Sequence, residues 1–196
     1  MTHPGTTGAT ALVVVDAQRN MLVGAGAAPE AAELRGVLGE LLAHAHARAR
    51  ARDAGAAVVH VQNDGAVGEP DEPGTDGWEL AFAPADGELV VRKSVSDTFA
   101  ANPPLAAELW SAGVRRLVVV GLQSEYCVRA TSLGALGAGF AVLLPSEAHA
   151  TYGDGAVGAR AISDAAEQEL AAAGVSIVRA AEVAFGPAPH VADRRG

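Results

Sequence analysis

The chain has 196 residues, 49% of them hydrophobic and only 4% aromatic, with a formal net charge of -9. That length suits one domain, 1–196, with a proper core built mainly from Ala, Val and Leu. The acidic balance argues against nucleic-acid binding, which needs a basic face to neutralise phosphate, and no apolar run approaches the ~20 residues of a membrane span. The opening MTHPGTTGAT lacks the basic and apolar regions of a secretory signal. A single cysteine excludes an internal disulfide and fits a reducing cytoplasm, where we expect the protein to work.

The first element is ALVVVD, Ala11–Asp16, a β-branched run ending in an acid and reading as a strand buried on both faces. Pro29–Arg52, rich in Ala, Leu, Glu and Arg, reads as a helix closed by DAG. Its basic end, HAHARARAR, is the ordinary response to a helix dipole. AAVVHVQ is a second strand. Asn63–Gly87, rich in Gly, Pro, Asp and Glu, is a loop long enough to be functional or mobile. Glu88–Lys93 is a third strand, and Pro103–Ala112 a helix with proline in its first turn. Arg115–Gly121 is a fourth strand, followed by a helix over Cys127–Gly137. AVLLP is a fifth strand, Arg160–Ala173 a helix stopped by Gly174, and VSIVRA a sixth strand. The termini, 1–9 and 186–196, are expected to be flexible.

Continuous apolar strands alternating with helices predict a parallel sheet covered on both faces. Such sheets bind ligands at the carboxyl ends of their strands. That rule selects Asp16, Lys93 and the turn Gly121–Cys127, which end strands one, three and four. A free thiol titrates near ~8.5, and a helix start with a nearby ammonium would lower that value. A carboxylate beside it can take the thiol proton and return it to a leaving amine. Each residue alone has an ordinary structural explanation; their shared edge is the signal. A nucleotide-binding protein is disfavoured, because DAQRNM is no glycine-rich phosphate loop.

Three stretches, VVVDAQRNM, VVRKSVSDTF and VVVGLQSEYCVRATSLGALGAGF, occur in the order and spacing of the isochorismatase-like cysteine hydrolase superfamily, which the chain resembles. The resemblance implies a six-stranded parallel sheet in a three-layer, Rossmann-like α/β/α sandwich, commonly assembled into homo-oligomers. It implies a catalytic triad of Asp16, Lys93 and Cys127. It also implies a cis peptide between Leu122 and Gln123, with the Gln123 and Cys127 backbone N–H groups forming an oxyanion hole. Loss of one such donor typically costs ~3 kcal/mol in the transition state.

Nicotinamidases of the superfamily carry a metal site with an Asp-x-His pair after strand two. Here that segment is VVHVQNDGAVGEP, with His60 inside the strand, so we expect no metal and no other cofactor. True isochorismatases lack the nucleophilic cysteine, which favours the thiol-dependent amidase branch. The expected substrate is a small amide, lactam, carbamoyl compound or ureide. The richness in Ala and Arg suggests a GC-rich genome, which adds amide-bearing antibiotics such as streptothricin to the candidates. A vinyl ether hydrolase and a non-enzymatic thiol sensor are the alternatives.

Four further residues are candidate substrate contacts. Gln18 could hydrogen-bond substrate or serve a turn. Trp78, with Phe82 nearby, could form an aromatic wall or a hydrophobic anchor. Phe99 has the same two readings, and Tyr126 could line the pocket or pack. His60 reads as a structural strand residue and His149 as a solvated loop histidine. Arg129 suits an ion pair, and Thr131 suits packing.

Overall fold

A computed structural model describes residues 8–50 and 57–185. In chain order these form β1 (Ala9–Val15), α1 (Arg19–Leu22), α2 (Ala31–Arg50), β2 (Val58–Asn63) and β3 (Leu89–Lys93). There follow α3 (Thr98–Ala101), α4 (Pro103–Ser111), β4 (Val114–Leu122), a π-helical turn over Ser124–Val128, and α5 (Arg129–Gly137). The remainder is β5 (Ala141–Pro145), β6 (His149–Ala150), α6 (Ala159–Ala173), β7 (Ser176–Val178) and a 3-10 turn over Ala180–Glu182. The expected helix stop at DAG and the second tail fall outside the described residues, as does most of the first tail; Ala9 already belongs to β1.

The sheet runs β3-β2-β1-β4-β5-β7, and β6 pairs with β4. Every pairing between these strands is parallel. All six expected strands are present. The seventh, β6, has two residues, too few for any alternation to register in the sequence.

Alternate residues of the central strands feed two separate cores, because successive strand side chains point to opposite faces. On one face Leu12, Val14, Val118 and Val120 pack with Leu34, Leu38 and Leu41 of α2. On the other, Val13, Val15 and Val119 pack with Leu105 and Leu109 of α4 and Leu170 of α6. Helices therefore cover both faces, giving the three-layer sandwich. Burial of Ala11 to Val15 on both sides explains why the sequence of β1 shows no polar alternation.

Helix ends follow local chemistry. The Asp97 side chain accepts a hydrogen bond from the Phe99 N–H at 2.9 Å and caps α3. Pro103 starts α4, and Gly174 ends α6 in the left-handed conformation at φ 107. The prolonged 63–87 segment is pinned rather than loose. Gln18 Nε2 donates to the carbonyls of Asn63 and Trp78, both at 3.0 Å, and Gln62 Nε2 donates to the Trp78 carbonyl at 2.9 Å.

Gly121 lets β4 lie against β1 at the functional end. It has φ 120, and a Cβ there would stand 1.9 Å from the Val15 carbonyl oxygen. Gly121→Ala is therefore expected to cost about 2 kcal/mol or more, read as a lower urea midpoint with an unchanged m-value.

Candidate active site

The carboxyl ends of β1, β3 and β4 converge on one cavity of about 300 Å³. Asp16, the first residue past β1, is the one non-glycine residue with positive φ among the described residues, at φ 48. Non-glycine residues rarely adopt that region, and those that do concentrate at functional sites. The bend is held by hydrogen bonds from the Asp16 N–H to the Val61 carbonyl at 3.0 Å and from the Gln18 N–H to the Asp16 carbonyl at 2.8 Å. Lys93 is the last residue of β3. Cys127 lies inside the π-helical turn rather than at a helix start, so the helical segment begins earlier than expected, at Ser124. The peptide bond between Leu122 and Gln123 is cis, and Gln123 and Cys127 both line the cavity.

Lys93 joins the groups. Its ammonium donates to Asp16 Oδ2 at 2.7 Å, to Asn63 Oδ1 at 3.2 Å and to Cys127 Sγ at 3.2 Å. The Lys93 side chain is fully buried and that of Asp16 is 2% exposed. Among the described residues Asp16 Oδ1 is buried without a hydrogen bond of good geometry, although the Cys127 thiol is close enough to act on the carboxyl as a donor. A buried carboxylate oxygen without a well-aligned donor is unusual, and such exceptions often have a chemical role.

The electrostatics follow from burial and mutual charge. Burial pushes the Asp16 carboxyl above its ordinary range, although Lys93 pulls it down. Burial works against the Lys93 ammonium, but Asp16 and Cys127 outweigh it and hold the group above its usual value. Burial, reinforced by the Asp16 charge, pushes the Cys127 thiol up to about 11. This corrects the expected lowering. The Lys93 charge acts in that direction, but the adjacent carboxylate and the loss of water are stronger.

The sign of this shift sets a stability prediction. The unfolded thiol releases its proton at ~8.5, while the folded one holds it to about 11. Between those values the folded state binds more protons, so stability falls as pH rises. Lys93, also raised, adds a loss of the same sign above its ordinary 10.5. The melting temperature should decline through this alkaline window, and less steeply for Cys127→Ala, as followed by circular dichroism.

The other candidate contacts divide. Tyr126 is 59% exposed and lines the cavity. Gln18 does not reach it: the side chain is buried, both Nε2 protons are engaged, and Oε1 accepts from the Asn63 N–H at 2.8 Å. The amide is a clamp between the β1 and β2 ends, which corrects its assignment to substrate. Trp78 is likewise an anchor. Its Nε1–H donates to Asp64 Oδ1 at 2.9 Å, and the Arg92 guanidinium lies 5.0 Å from its ring centre. Phe82 packs against the α2-side core. Phe99 belongs to the opposite core, 6.0 Å from the Phe140 ring, and not to the cavity.

His149 is not a solvated loop residue. It sits in β6, is buried, and its Nδ1 lies 2.8 Å from Ser124 Oγ. Ser124 Oγ also meets Ser163 Oγ at 2.9 Å, and His149 Nε2 lies 3.2 Å from Glu167 Oε1, so serine and histidine together tie the thiol-bearing turn to α6. Arg129 forms an ion pair with Glu169, and Thr131 Oγ1 meets Thr98 Oγ1 at 2.8 Å in the interior. Asn63 and Asp71 were not singled out in the sequence. Asn63 ends β2 at the same sheet edge, so the strand-end rule could have found it; Asp71 lies in the irregular segment and carries no such signal.

A metal of the nicotinamidase kind does not fit these residues. His60 Nε2 lies 2.9 Å from Glu88 Oε2, and Glu88 Oε1 lies 2.6 Å from His46 Nε2. Despite partial burial, the Ala85 N–H and both histidines hold the Glu88 carboxyl below its usual range. Among the described residues, no group of three or more His, Cys, Asp or Glu side chains is arranged to hold a metal ion.

The fold is a parallel α/β/α sandwich with acid, ammonium and thiol at its strand ends. The isochorismatase domain profile matches residues 10–181, and the chain belongs to that family. Two streptothricin hydrolases of Streptomyces noursei are similar to it. One is 49% identical over 144 residues, covering 72% of this chain and 50% of the relative. The other is 44% identical over 191 residues, covering 93% of this chain and 73% of the relative. The chain thus spans half the length of the first. Among solved structures, N-carbamoylsarcosine amidase from Thermoplasma acidophilum superposes with a TM-score of 0.71 at 25% identity, covering 89% of this chain and 98% of that one. No helix among the described residues is long and apolar enough to cross a membrane.

Proposed function

We propose that this protein hydrolyses a C–N bond of a small amide, lactam or carbamoyl compound through a thioester on Cys127. The observation that carries this reading is the Lys93 ammonium in contact with both Asp16 Oδ2 and Cys127 Sγ at a cavity wall. Similarity to streptothricin hydrolases and to an N-carbamoylsarcosine amidase supports a C–N bond as the target, and streptothricin as one substrate to test.

The chain's own groups can carry each step. Asp16 takes the Cys127 proton as sulfur attacks the carbonyl carbon, so the thiolate forms only as it reacts. Lys93 stabilises the charge on both partners. The Gln123 and Cys127 N–H groups hold the oxyanion. The C–N bond breaks as Asp16 gives its proton to the departing nitrogen, leaving a thioester. Asp16 then removes a proton from water, whose oxygen attacks the thioester carbonyl. The acid leaves and the proton returns to sulfur.

A thiol held up to about 11 fits this concerted transfer better than a thiol sensor, which needs a standing thiolate. The test is a screen of aliphatic amides, nicotinamide, carbamoyl amino acids and lactams including streptothricin. Ammonia or amine release by the wild type, absent from Cys127→Ala, is the expected result. Equal release by both would overturn the proposal.

A further inference from the structure

The charge lining the cavity bears on which amide it admits. Besides Asp16, one other carboxylate borders it, that of Asp71. None of the described residues bordering it is Lys, Arg or His. Lys93 stands behind the wall, fully buried, with its three donors directed to Asp16, Asn63 and Cys127. Asp71 is therefore the cavity charge without a cation of its own.

The loop is shaped to place this carboxylate. The Gly65 N–H donates to the Asp71 carbonyl at 2.9 Å, and Asn63 Nδ2 donates to Asp71 Oδ2 at 2.7 Å. A Cβ on Gly65 would fall 2.0 Å from Asp71 Oδ1, so glycine there leaves the carboxylate its position. Oδ1 receives no hydrogen bond among the described residues and has capacity for a donor from outside. The other carboxylate on the wall, Asp16, is committed to Lys93 and Cys127.

We propose that Asp71 is a specificity determinant that selects an amide carrying a cationic amine, and that the cavity disfavours amides carrying a carboxylate. This rests on the hydrolase reading above, and it concerns which substrate enters rather than how the bond breaks. A bound ammonium can donate to Asp71 Oδ1 and offset the one carboxylate at the cavity that Lys93 does not pair. An anionic substrate meets repulsion from Asp71, which no cation lining the cavity offsets.

The test uses three matched sets of amides: ω-amino amides of butanoic to hexanoic length, alkyl amides of the same length, and half-amides of the corresponding dicarboxylic acids. The wild type should prefer them in that order by kcat/KM. Asp71→Asn keeps an oxygen to accept from Asn63 and removes the charge. It should lower kcat/KM for the ω-amino amides about tenfold, mainly through KM, and change the alkyl amides much less. Asp71→Ser, checked for an unchanged melting temperature, should show the same pattern. A ratio of ω-amino to alkyl amide that is equal in wild type and both variants overturns the inference. Thermal protection of Cys127→Ala by the same compounds separates the two proposals. Charge-selective protection that Asp71→Asn abolishes supports Asp71 even without turnover of these amides, and the hydrolase reading then falls only if the wider screen also shows no release above Cys127→Ala. Turnover without charge preference sinks only the role of Asp71.

Discussion

Cys127→Ala is expected to reduce amide hydrolysis by at least on the order of 10⁴-fold while leaving the fold intact. The residue is half-buried at the rim of the cavity, so the substitution removes one sulfur without emptying a core site. Activity is read as amine or ammonia release. Intact-mass measurement after rapid quenching should detect an acyl adduct on the wild type and none on the variant. Cys127→Ser is also informative, because the poorer nucleophile keeps the hydrogen-bonding shape. If the alanine variant retains a substantial fraction of wild-type kcat, sulfur is not the nucleophile.

The second large effect concerns Lys93. Its replacement by methionine preserves much of the side chain's length but leaves Asp16, with 2% side-chain exposure, without its cation. Removing one member of a buried pair typically costs ~3–5 kcal/mol, because the surviving charge stays desolvated. Lys93→Met should therefore lower the urea midpoint sharply as well as abolish turnover. Asp16→Asn should also be inactive and destabilised. The double substitution Asp16→Asn/Lys93→Met should recover part of the lost stability, since no lone charge then remains inside. It should recover no activity. Strict additivity of the two stability losses would contradict coupling through the 2.7 Å contact.

How far the sequence disclosed this site depended on how each residue gets there. Asp16, Lys93 and Cys127 follow apolar β-branched runs, so a strand-end rule brings them to one edge without knowledge of any side-chain path. The seven-residue β1 and nine-residue β4 declared themselves because both faces are buried. β6 did not, as its two residues are held by β4 through hydrogen bonds rather than by any local preference. The burial of His149 is hidden from the sequence for the same reason: its partners Ser124 and Glu167 are distant in the chain.

Gln18 and Phe99 show a second limit. Both lie close in sequence to catalytic candidates, but neighbouring residues can face opposite ways. Gln18 turns inward to brace the Asn63 segment, and Phe99 joins the core around Phe140. The thiol's upward shift is not legible in a helix start and one lysine, because it comes from dehydration of the cleft and the Asp16 charge. Asp71 is placed by the Asn63 side chain and the Gly65 backbone, an arrangement that composition does not encode.

The Lys93 contacts also restrict what can stand at the end of β3. Its three N–H bonds radiate from one tetrahedral nitrogen to a carboxylate, an amide oxygen and a sulfur. A guanidinium spreads its protons across a flat fork and cannot reproduce that tripod, so arginine would preserve the formal charge while breaking the geometry. At this position chemical identity, rather than sign, is the constraint.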